Sequence, residues 1–275
     1  MRVLAILAAY NEERFIAACL THLIAQGVDV YLIDNSSADR TVGIAEGFLH
    51  RGLIGIETVP RHGVYSWKPL LKRKEELAST LDYDWFIHAD PDEIRLSPDP
   101  EKTLVQALAD ADAAGYNAAN FTEFVFLPTR ESPDHDHPRF QETMRWYYPH
   151  VPRAAPSQVK AWKRQAERVS LAATGGHIVA FPGLRLYPKS FPMRHYIFLS
   201  VEHALEKWVH RRYDPAEVAA GWHRARAAIR PEQIMLPSER DIRYYVSDDR
   251  LDASDPLETH PFFIDVLAEL KSRGT

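Results

Sequence analysis

The chain holds almost no cysteine: Cys19 stands alone among 275 residues. No internal disulfide can form, and a reducing compartment is the simpler setting. Long apolar runs are missing too. The opening "MRVLAILAAYNEER" is apolar for too few residues to span a bilayer, and its polar end replaces the small-residue cleavage region of a secretion signal. No later segment reaches membrane-spanning length. Excess positive charge is also absent: the formal net charge is −5, which argues against a surface that coats nucleic acid. No G-x-G-x-x-G follows the first apolar run, so a Rossmann dehydrogenase is not expected. Internal repeats and low-complexity segments are lacking. What remains is the expectation of a soluble, cytoplasmic protein with no transmembrane segment and no nucleic-acid partner. Its 45% hydrophobic and 26% charged residues are ordinary for one large α/β domain or two small ones.

The first ninety residues alternate between two periodicities. "RVLAILAAY" is apolar on both faces, as a parallel strand covered by helices on each side must be. "NEERFIAACLTHLIAQG" then carries Phe15, Ile16, Leu20, Leu23 and Ile24 at helical spacing and ends at Gly27. "VDVYLID", "LIGIETVP" and "YDWFIHA" read as further strands, separated by helices in "SADRTVGIAEGFLHRG" and "WKPLLKRKEELASTL". Helices of that length between strands imply right-handed crossovers and a mainly parallel sheet. Another helix is expected over "SPDPEKTLVQALADADAAG" with Pro100 in its first turn, then a strand in "YNAANFTEFVFLP". Residues 128–160, rich in Pro, His, Arg and aromatics, show no long period and read as a lid or binding loop, with a short strand possible at Met144 to Tyr148. Strands in "HIVAFPGLRLYP" and "SFPMRHYIFL" follow. A helix in "SVEHALEKWVHRRY" is N-capped by Ser200, and a final amphipathic helix lies in "PFFIDVLAELKSR".

Ligands of open parallel sheets bind at the carboxyl ends of the strands. Asn11 and Glu12 follow the first strand, Asp34 ends the second, and Asp90, Asp92 and Glu93 follow the fourth in "DWFIHADPDEI". Residues two apart on extended chain face the same way, so Asp90 and Asp92 can aim at one point. Two carboxylates that close repel unless a cation or protons intervene, and hard oxygen ligands with open positions suit Mg²⁺ or Mn²⁺. The bland alternative is a solvated turn at Pro91-Asp92. The convergence from three strand ends favours the metal.

These motifs together resemble a nucleotide-sugar glycosyltransferase of the GT-A type, in the broad family 2 group. Its first strand ends like "AAYNEE", its second in an Asp as in "IDNSSADRT", and its fourth in a D-x-D as in Asp90-Pro91-Asp92. "TGGHIVAF", "RLYPKSFPMRHY", "EHALEKWVHRR" and "GWH" extend the likeness to about residue 225. Two features depart from it: His88 stands where a carboxylate often precedes the D-x-D, and residues 128–160 match nothing. The resemblance implies a Rossmann-like, mainly parallel sheet with helices on both faces, plus a C-terminal acceptor-side extension. The domains would be a nucleotide-sugar-binding half (1–127), an acceptor-side half with lid loop and R-H-Y motif (128–230), and a tail with a short helix (231–275). Ala9, Tyr10, Asn11, Glu12, Asp34 and Asn35 would line the donor pocket. Lys74, or else Arg73, would face the diphosphate from sixteen or so positions before the D-x-D. Asp92 would be the main ligand of Mn²⁺ or Mg²⁺, Asp90 would contact ribose or metal with Glu93 in support, and His195 would close over metal or diphosphate.

The implied activity is transfer of a sugar from a nucleoside-diphosphate donor to a saccharide, lipid-linked or small-molecule hydroxyl by a single inverting displacement. A divalent ion would stabilise the leaving diphosphate, with Lys74, Lys207, Arg211 and Arg212 as further neutralisers. The acceptor hydroxyl needs a base. Glu123 in "NFTEFVFLP" is the first candidate and Asp134 and Asp136 are rivals, although Glu123 would equally suit the solvent face of a strand. His177 is read as packing at the Gly175-Gly176 turn, and His135, His137 and His150 as surface residues rather than a zinc site. Trp146, Tyr147 and Tyr148 form either a stacking platform for an acceptor sugar or the loop's own apolar anchor. Two other classes stay in view. A nucleotidyltransferase usually carries glycine and lysine just after its first strand, and "AAYNEE" has neither; a non-catalytic nucleotide-sugar-binding module would keep the pocket without the chemistry.

Overall fold

The computed structural model describes residues 1–152 and 155–273, and in it the chain falls into two compact units. The first comprises Met1–Arg61, Trp67–Thr122 and Pro156–Arg194; the second comprises His62–Ser66, Glu123–Ala155 and His195–Thr275. The units therefore interleave along the chain instead of dividing at 127 and 230. The physical reason is that two strands, Ala118–Phe126 and Phe191–Tyr196, each begin in the first unit and end in the second.

In chain order the strands are β1 (Val3–Ala9), β2 (Asp29–Asp34), β3 (Leu53–Thr58), β4 (Trp85–Ala89), β5 (Glu93–Arg95), β6 (Ala118–Phe126), β7 (Trp146–His150), β8 (Val159–Lys163), β9 (Phe191–Tyr196) and β10 (Arg243–Tyr244). The helices are α1 (Ile16–Ala25), α2 (Thr41–Glu46), α3 (Trp67–Thr80), α4 (Leu104–Ala113), α5 (Phe140–Thr143), α6 (Val201–Ala204), α7 (Pro215–Ala219), α8 (Arg224–Ala228) and α9 (Ile264–Ser272).

The first unit is a mixed α/β layer structure with a mainly parallel core. β1 pairs in parallel with β2 and β4, and β2 with β3, while β8 runs antiparallel to β4 and to the first residues of β6. All seven residues of β1 are buried, as its two apolar faces require. Val3, Ala5, Leu7 and Ala9 share one core with Ile16, Cys19, Leu20 and Leu23 of α1 and Leu104 and Leu108 of α4. The alternate residues face the other way, where α3 packs on β1 with Leu70 and Leu71 buried. The register sets Ala9 opposite Asp34 and Leu7 opposite Ala89, so the carboxyl ends of β1, β2 and β4 come out at one edge.

Three expectations change. α4 starts at Leu104, not near Pro100, because Thr103 and Gln106 form a reciprocal capping box that fixes the first turn there. "HIVAFPGLRLYP" makes only isolated bridges from Ile178, Ala180 and Leu186, since Pro182, Gly183 and Pro188 interrupt any ladder. Residues 128–160 are not without regular structure: they hold α5, β7 and the start of β8, apart from the undescribed 153–154.

The second unit pairs β7 antiparallel with the last residues of β6 and β10 antiparallel with β7. Ser200 caps α6 by accepting the His203 N–H, and the helix runs on as a π-helical turn over Leu205–Val209. Trp208 from that turn stacks on Phe262, with ring centroids 5.0 Å apart, and Phe198, Phe263 and Val266 complete a core of their own. Among the described residues no helix is long and apolar enough to cross a membrane.

Candidate functional site

The loops after β1 and β2 are tied into one wall. Asn11 has φ +55, a conformation asparagine tolerates better than most residues, and its side-chain oxygen accepts the Ala38 N–H at 2.8 Å. The Asn11 N–H donates to Ser37 Oγ at 3.0 Å and that of Glu12 to Thr41 Oγ1 at 2.7 Å. Asp34 is buried at the base of this wall, and both its oxygens accept the Ser37 N–H at 3.2 Å. Asn35 is spent on structure, donating to the Val59 carbonyl at 2.8 Å. Arg61 lays its guanidinium 3.6 Å from the centre of the Tyr10 ring. Ala9, Tyr10, Asn11, Glu12, Asp34 and Asn35 are thus brought together as expected. Arg61 joins them without having been read from the sequence, where only its place just past the third strand marks it.

Beyond β4 the acidic corner is a balanced ion cluster. Glu93 is gripped by Arg95 and lies 2.7 Å from Lys160 Nζ, and all three side chains are nearly inaccessible. Asp90, whose side chain is 26% exposed, has Lys160 Nζ at 3.5 Å, Lys74 Nζ at 3.9 Å and His88 Nε2 at 3.8 Å. Asp92 is buried beside them. Three carboxylates therefore face three cations, from α3, β5 and β8. Lys74 lies wholly under the corner rather than open to a ligand, donating to the Ala89 carbonyl at 2.9 Å and to His88 Nδ1 at 3.0 Å. Burial pulls its ammonium down to about 7, against the attraction of Asp90. Burial, and then Lys74, hold His88 well below the ordinary imidazole value. Burial would raise Asp90, but Lys160, His88 and Lys74 outweigh it and keep the carboxylate ionised. Arg73 belongs elsewhere, paired with Glu57 at 2.7 Å. Lys160 and Arg95 were not read from the sequence; each meets its partners only once the chain has folded.

The "TGGH" loop closes on this corner from the side of His88. Trp67 Nε1 donates to the Gly175 carbonyl at 2.9 Å, and the Trp67 ring meets His88 edge-on at 5.8 Å. Gly176 has φ +87, and a Cβ there would stand 2.9 Å from Leu71 Cδ2 and 3.2 Å from His88 Nε2. Glycine is thus required twice over, by conformation and by space. His177, beside the Gly175-Gly176 turn, is exposed.

In the second unit Glu123 and His195 form a pair, with Glu123 Oε1 2.5 Å from His195 Nδ1. Glu123 is buried, which excludes the solvent-facing alternative. Across the β6–β7 register it faces His150, whose Nδ1 donates to the Leu257 carbonyl at 2.8 Å. His260 stacks on His150 with centroids 4.0 Å apart and accepts from the Tyr148 hydroxyl at 2.7 Å. Burial raises Glu123, but the hydrogen bond and charge of His195, aided by His150 and His260, hold it below the usual carboxylate range. Burial pushes the Tyr148 phenol up, and it pushes His150 and His260 down. Asp134 and Asp136 are exposed, the first accepting the N–H of the second at 2.8 Å. His135 and His150 are buried, contrary to the expectation of a surface cluster, and Tyr147 and Tyr148 are anchors of the fold. Lys207 donates to the Ile197 carbonyl at 3.1 Å.

The chemistry of the corner suits a divalent ion in one respect. Asp90 and Asp92 offer two hard carboxylates, the number with which Mg²⁺-type ions are held when substrate phosphates complete the shell. Glu93 is consumed by its two cations. Among the described residues no three His, Cys, Asp or Glu side chains form a metal-holding group. The residues of the corner fit a site of two carboxylates finished by phosphate.

Residues 5–64 match the model of Glycosyl transferase family 2, a segment that contains β1 to β3 and the whole Tyr10–Asp34–Arg61 wall. The match covers 60 of the 275 residues, and over that segment the chain is similar to the family. It is also similar to S. aureus TarS 1–349, at 16% identity over 71% of this chain and 60% of that one, with a TM-score of 0.42. The mannosyltransferase PcManGT from Pyrobaculum calidifontis, solved with GDP-Man and Mn²⁺, is similar at 17% identity over 82% of this chain and 70% of that one, TM-score 0.41. Glucosyl-3-phosphoglycerate synthase from Mycobacterium tuberculosis, solved with Mn²⁺, UDP and phosphoglyceric acid, is similar at 18% identity over 44% and 43%, TM-score 0.30. No curated protein matches the chain.

Proposed function

We propose that the chain is a glycosyltransferase that binds a nucleoside-diphosphate sugar through its first unit and passes the sugar to a hydroxyl acceptor in a single inverting displacement. The observation that carries this reading is the wall of Tyr10, Asn11, Asp34 and Arg61 at the ends of parallel strands, inside the segment that matches family 2. Asp34 is an acceptor-only group at the foot of that wall, suited to a ribose hydroxyl or a base N–H. Tyr10 and Arg61 make a flat ledge on which a base can stack. A divalent ion held by Asp92 and Asp90 would supply the positive charge that draws off a leaving diphosphate. Lys160 and Lys74 hold the Asp90 carboxylate ionised and Arg95 fixes Glu93 in place, leaving Asp90 part open to the ligand. The acceptor is a saccharide, a lipid-linked sugar or a small molecule, in a cytoplasmic setting.

The test is thermal denaturation of the whole chain with UDP, GDP or dTDP, each with and without Mn²⁺. A ligand at about 100 times its dissociation constant stabilises by roughly 2.7 kcal/mol, which a melting curve resolves readily. One nucleotide should raise the melting temperature, more so with Mn²⁺. Asp34→Asn should abolish the shift and Asp92→Asn its Mn²⁺-dependent part. Failure of every nucleotide to move the wild-type curve overturns the reading.

A further inference from the structure

Of the three cations in the acidic corner, Lys160 is the one shared between two carboxylates. Its Nζ stands 2.7 Å from Glu93 Oε1 and 3.5 Å from Asp90 Oδ2. The two contacts are unequal. Glu93 is nearly inaccessible, is gripped by Arg95 as well, and holds the ammonium at full hydrogen-bond closeness. Asp90 is 26% exposed and lies at the outer limit of such a bond. Lys160 is thus seated on Glu93 and leans on Asp90. The strand fixes that seat. Ala161, the next residue of β8, pairs with Ile87 and Ala119 and joins the apolar core with α1 and α4, so Lys160 projects from the opposite face of the sheet. With 5% of its side chain exposed, the ammonium cannot turn to bulk water instead.

On the glycosyltransferase reading above, we propose that Lys160 is a tethered counter-ion that competes with the divalent cation for Asp90, and that the corner therefore takes the ion together with a nucleoside diphosphate rather than alone. Neighbouring carboxylates repel unless a cation or protons intervene, and Lys160 lets this corner fold with neither a metal nor a bound proton. Burial would lower its ammonium, but Glu93 and Asp90 outweigh burial and keep it charged. That charge, with Lys74 Nζ 3.9 Å from Asp90 on the other side, repels a bare dication at the same carboxylate. A diphosphate arriving with the ion brings the negative charge that offsets both lysines. Glu93 keeps Lys160 in place throughout, so Lys160 is a positioning residue and specificity element of the donor site, not a group that touches the reacting atoms.

The experiment titrates Mn²⁺ into the whole chain, well below the melting temperature of each variant, and reads the free ion by its electron paramagnetic resonance signal. Without nucleotide, Lys160→Met should bind Mn²⁺ roughly tenfold or more tightly than wild type, and Asp92→Asn added to it should remove the gain. A purely structural Lys160 predicts unchanged or weaker binding, never a gain. Lys163→Met, from an exposed pair on the same strand, should bind as wild type does. UDP, GDP or dTDP, whichever raises the melting temperature most, should tighten Mn²⁺ binding to wild type. Should Lys160→Met fail to fold, Lys160→Gln decides. Equal Mn²⁺ affinity in wild type and the Lys160 variants, binding in neither, a gain that survives Asp92→Asn, or a wild type that binds Mn²⁺ as tightly without nucleotide as with it overturns the proposal. A wild type whose melting no nucleotide moves, with or without Mn²⁺, overturns the glycosyltransferase reading, while the competition at Asp90 stands or falls by the Mn²⁺ titrations of the Lys160 variants.

Discussion

Lys160→Met tests the claim that the acidic corner is held by internal cations. Lys160 Nζ stands 2.7 Å from Glu93 and 3.5 Å from Asp90, and its side chain is 5% exposed. At an effective dielectric of 20 those two contacts correspond to attractions of roughly 6 and 5 kcal/mol, set against repulsion from Lys74 and Arg95 and the cost of burying the ammonium. Methionine fills most of the volume but leaves both carboxylates short of a partner. Breaking a buried pair from one side costs about 3–5 kcal/mol, and Arg95 still serves Glu93, so the low end of that range is expected. Lys163→Met, on the same strand, is the control: Lys163 pairs with Asp112 at 2.6 Å, but the side chains are 46% and 32% exposed. Such a pair contributes roughly 1 kcal/mol or less. With about 2 °C or more per kcal/mol for a chain of this size, calorimetry should show Lys160→Met melting about 6 °C or more below wild type, and Lys163→Met within about 2 °C. Equal shifts for the two variants would refute the balanced-cluster argument.

Two further outcomes follow from burial and backbone geometry. His88 is buried and His260 half-buried, and folding lowers both below their unfolded value of 6.5. Below pH 6.5 the unfolded chain binds protons that the folded one refuses. Stability is therefore intact above that pH and falls beneath it, by up to about 1.4 kcal/mol per pH unit for each histidine. Urea midpoints between pH 7 and 5.5 should show this fall, and His260→Gln should flatten it. Gly176→Ala should cost roughly 1–3 kcal/mol by urea unfolding, since the new Cβ meets Leu71 at 2.9 Å. Gly63→Ala has φ +78 but open space around it and should cost about 1 kcal/mol or less.

Strand ends and their polar residues were legible because a two-faced apolar run followed abruptly by Asn, Asp or Glu has few other uses in an α/β chain. Asp34, Asn11 and Asp90 fell where β2, β1 and β4 end. Period alone was a poorer guide downstream: residues 177–188 alternate like a strand, yet two prolines and a glycine leave them only bridges. The partners of the acidic corner were hidden for a different reason. Lys160 lies 67 residues from Glu93, and nothing local to "VKAWK" announces a buried ammonium. Glu123 and His195 were both singled out, but not as a pair, since a spacing of 72 residues carries no record of a hydrogen bond.

The two polar clusters manage buried charge in opposite ways, and the difference bears on what each can do. In the first unit Glu93 is answered by Arg95 and Lys160, and Asp90 by Lys160 with Lys74 beside it, so these carboxylates already face internal cations before any ligand arrives. A nucleoside diphosphate must then bring its own counter-ion or draw on the Lys74 and Lys160 charges that Asp90 now shares, which is the electrostatic reason to expect nucleotide and metal to bind together. In the second unit Glu123 is bonded to His195, a group whose charge depends on a proton, and burial pushes the neighbouring His150 and His260 down. A buried carboxylate stabilises the protonated form of an imidazole bonded to it. The first arrangement suits holding a charged ligand and the second suits receiving a proton. If Glu123→Gln left the pH dependence of stability untouched, that contrast would lose its meaning, and the second cluster would be one more satisfied core.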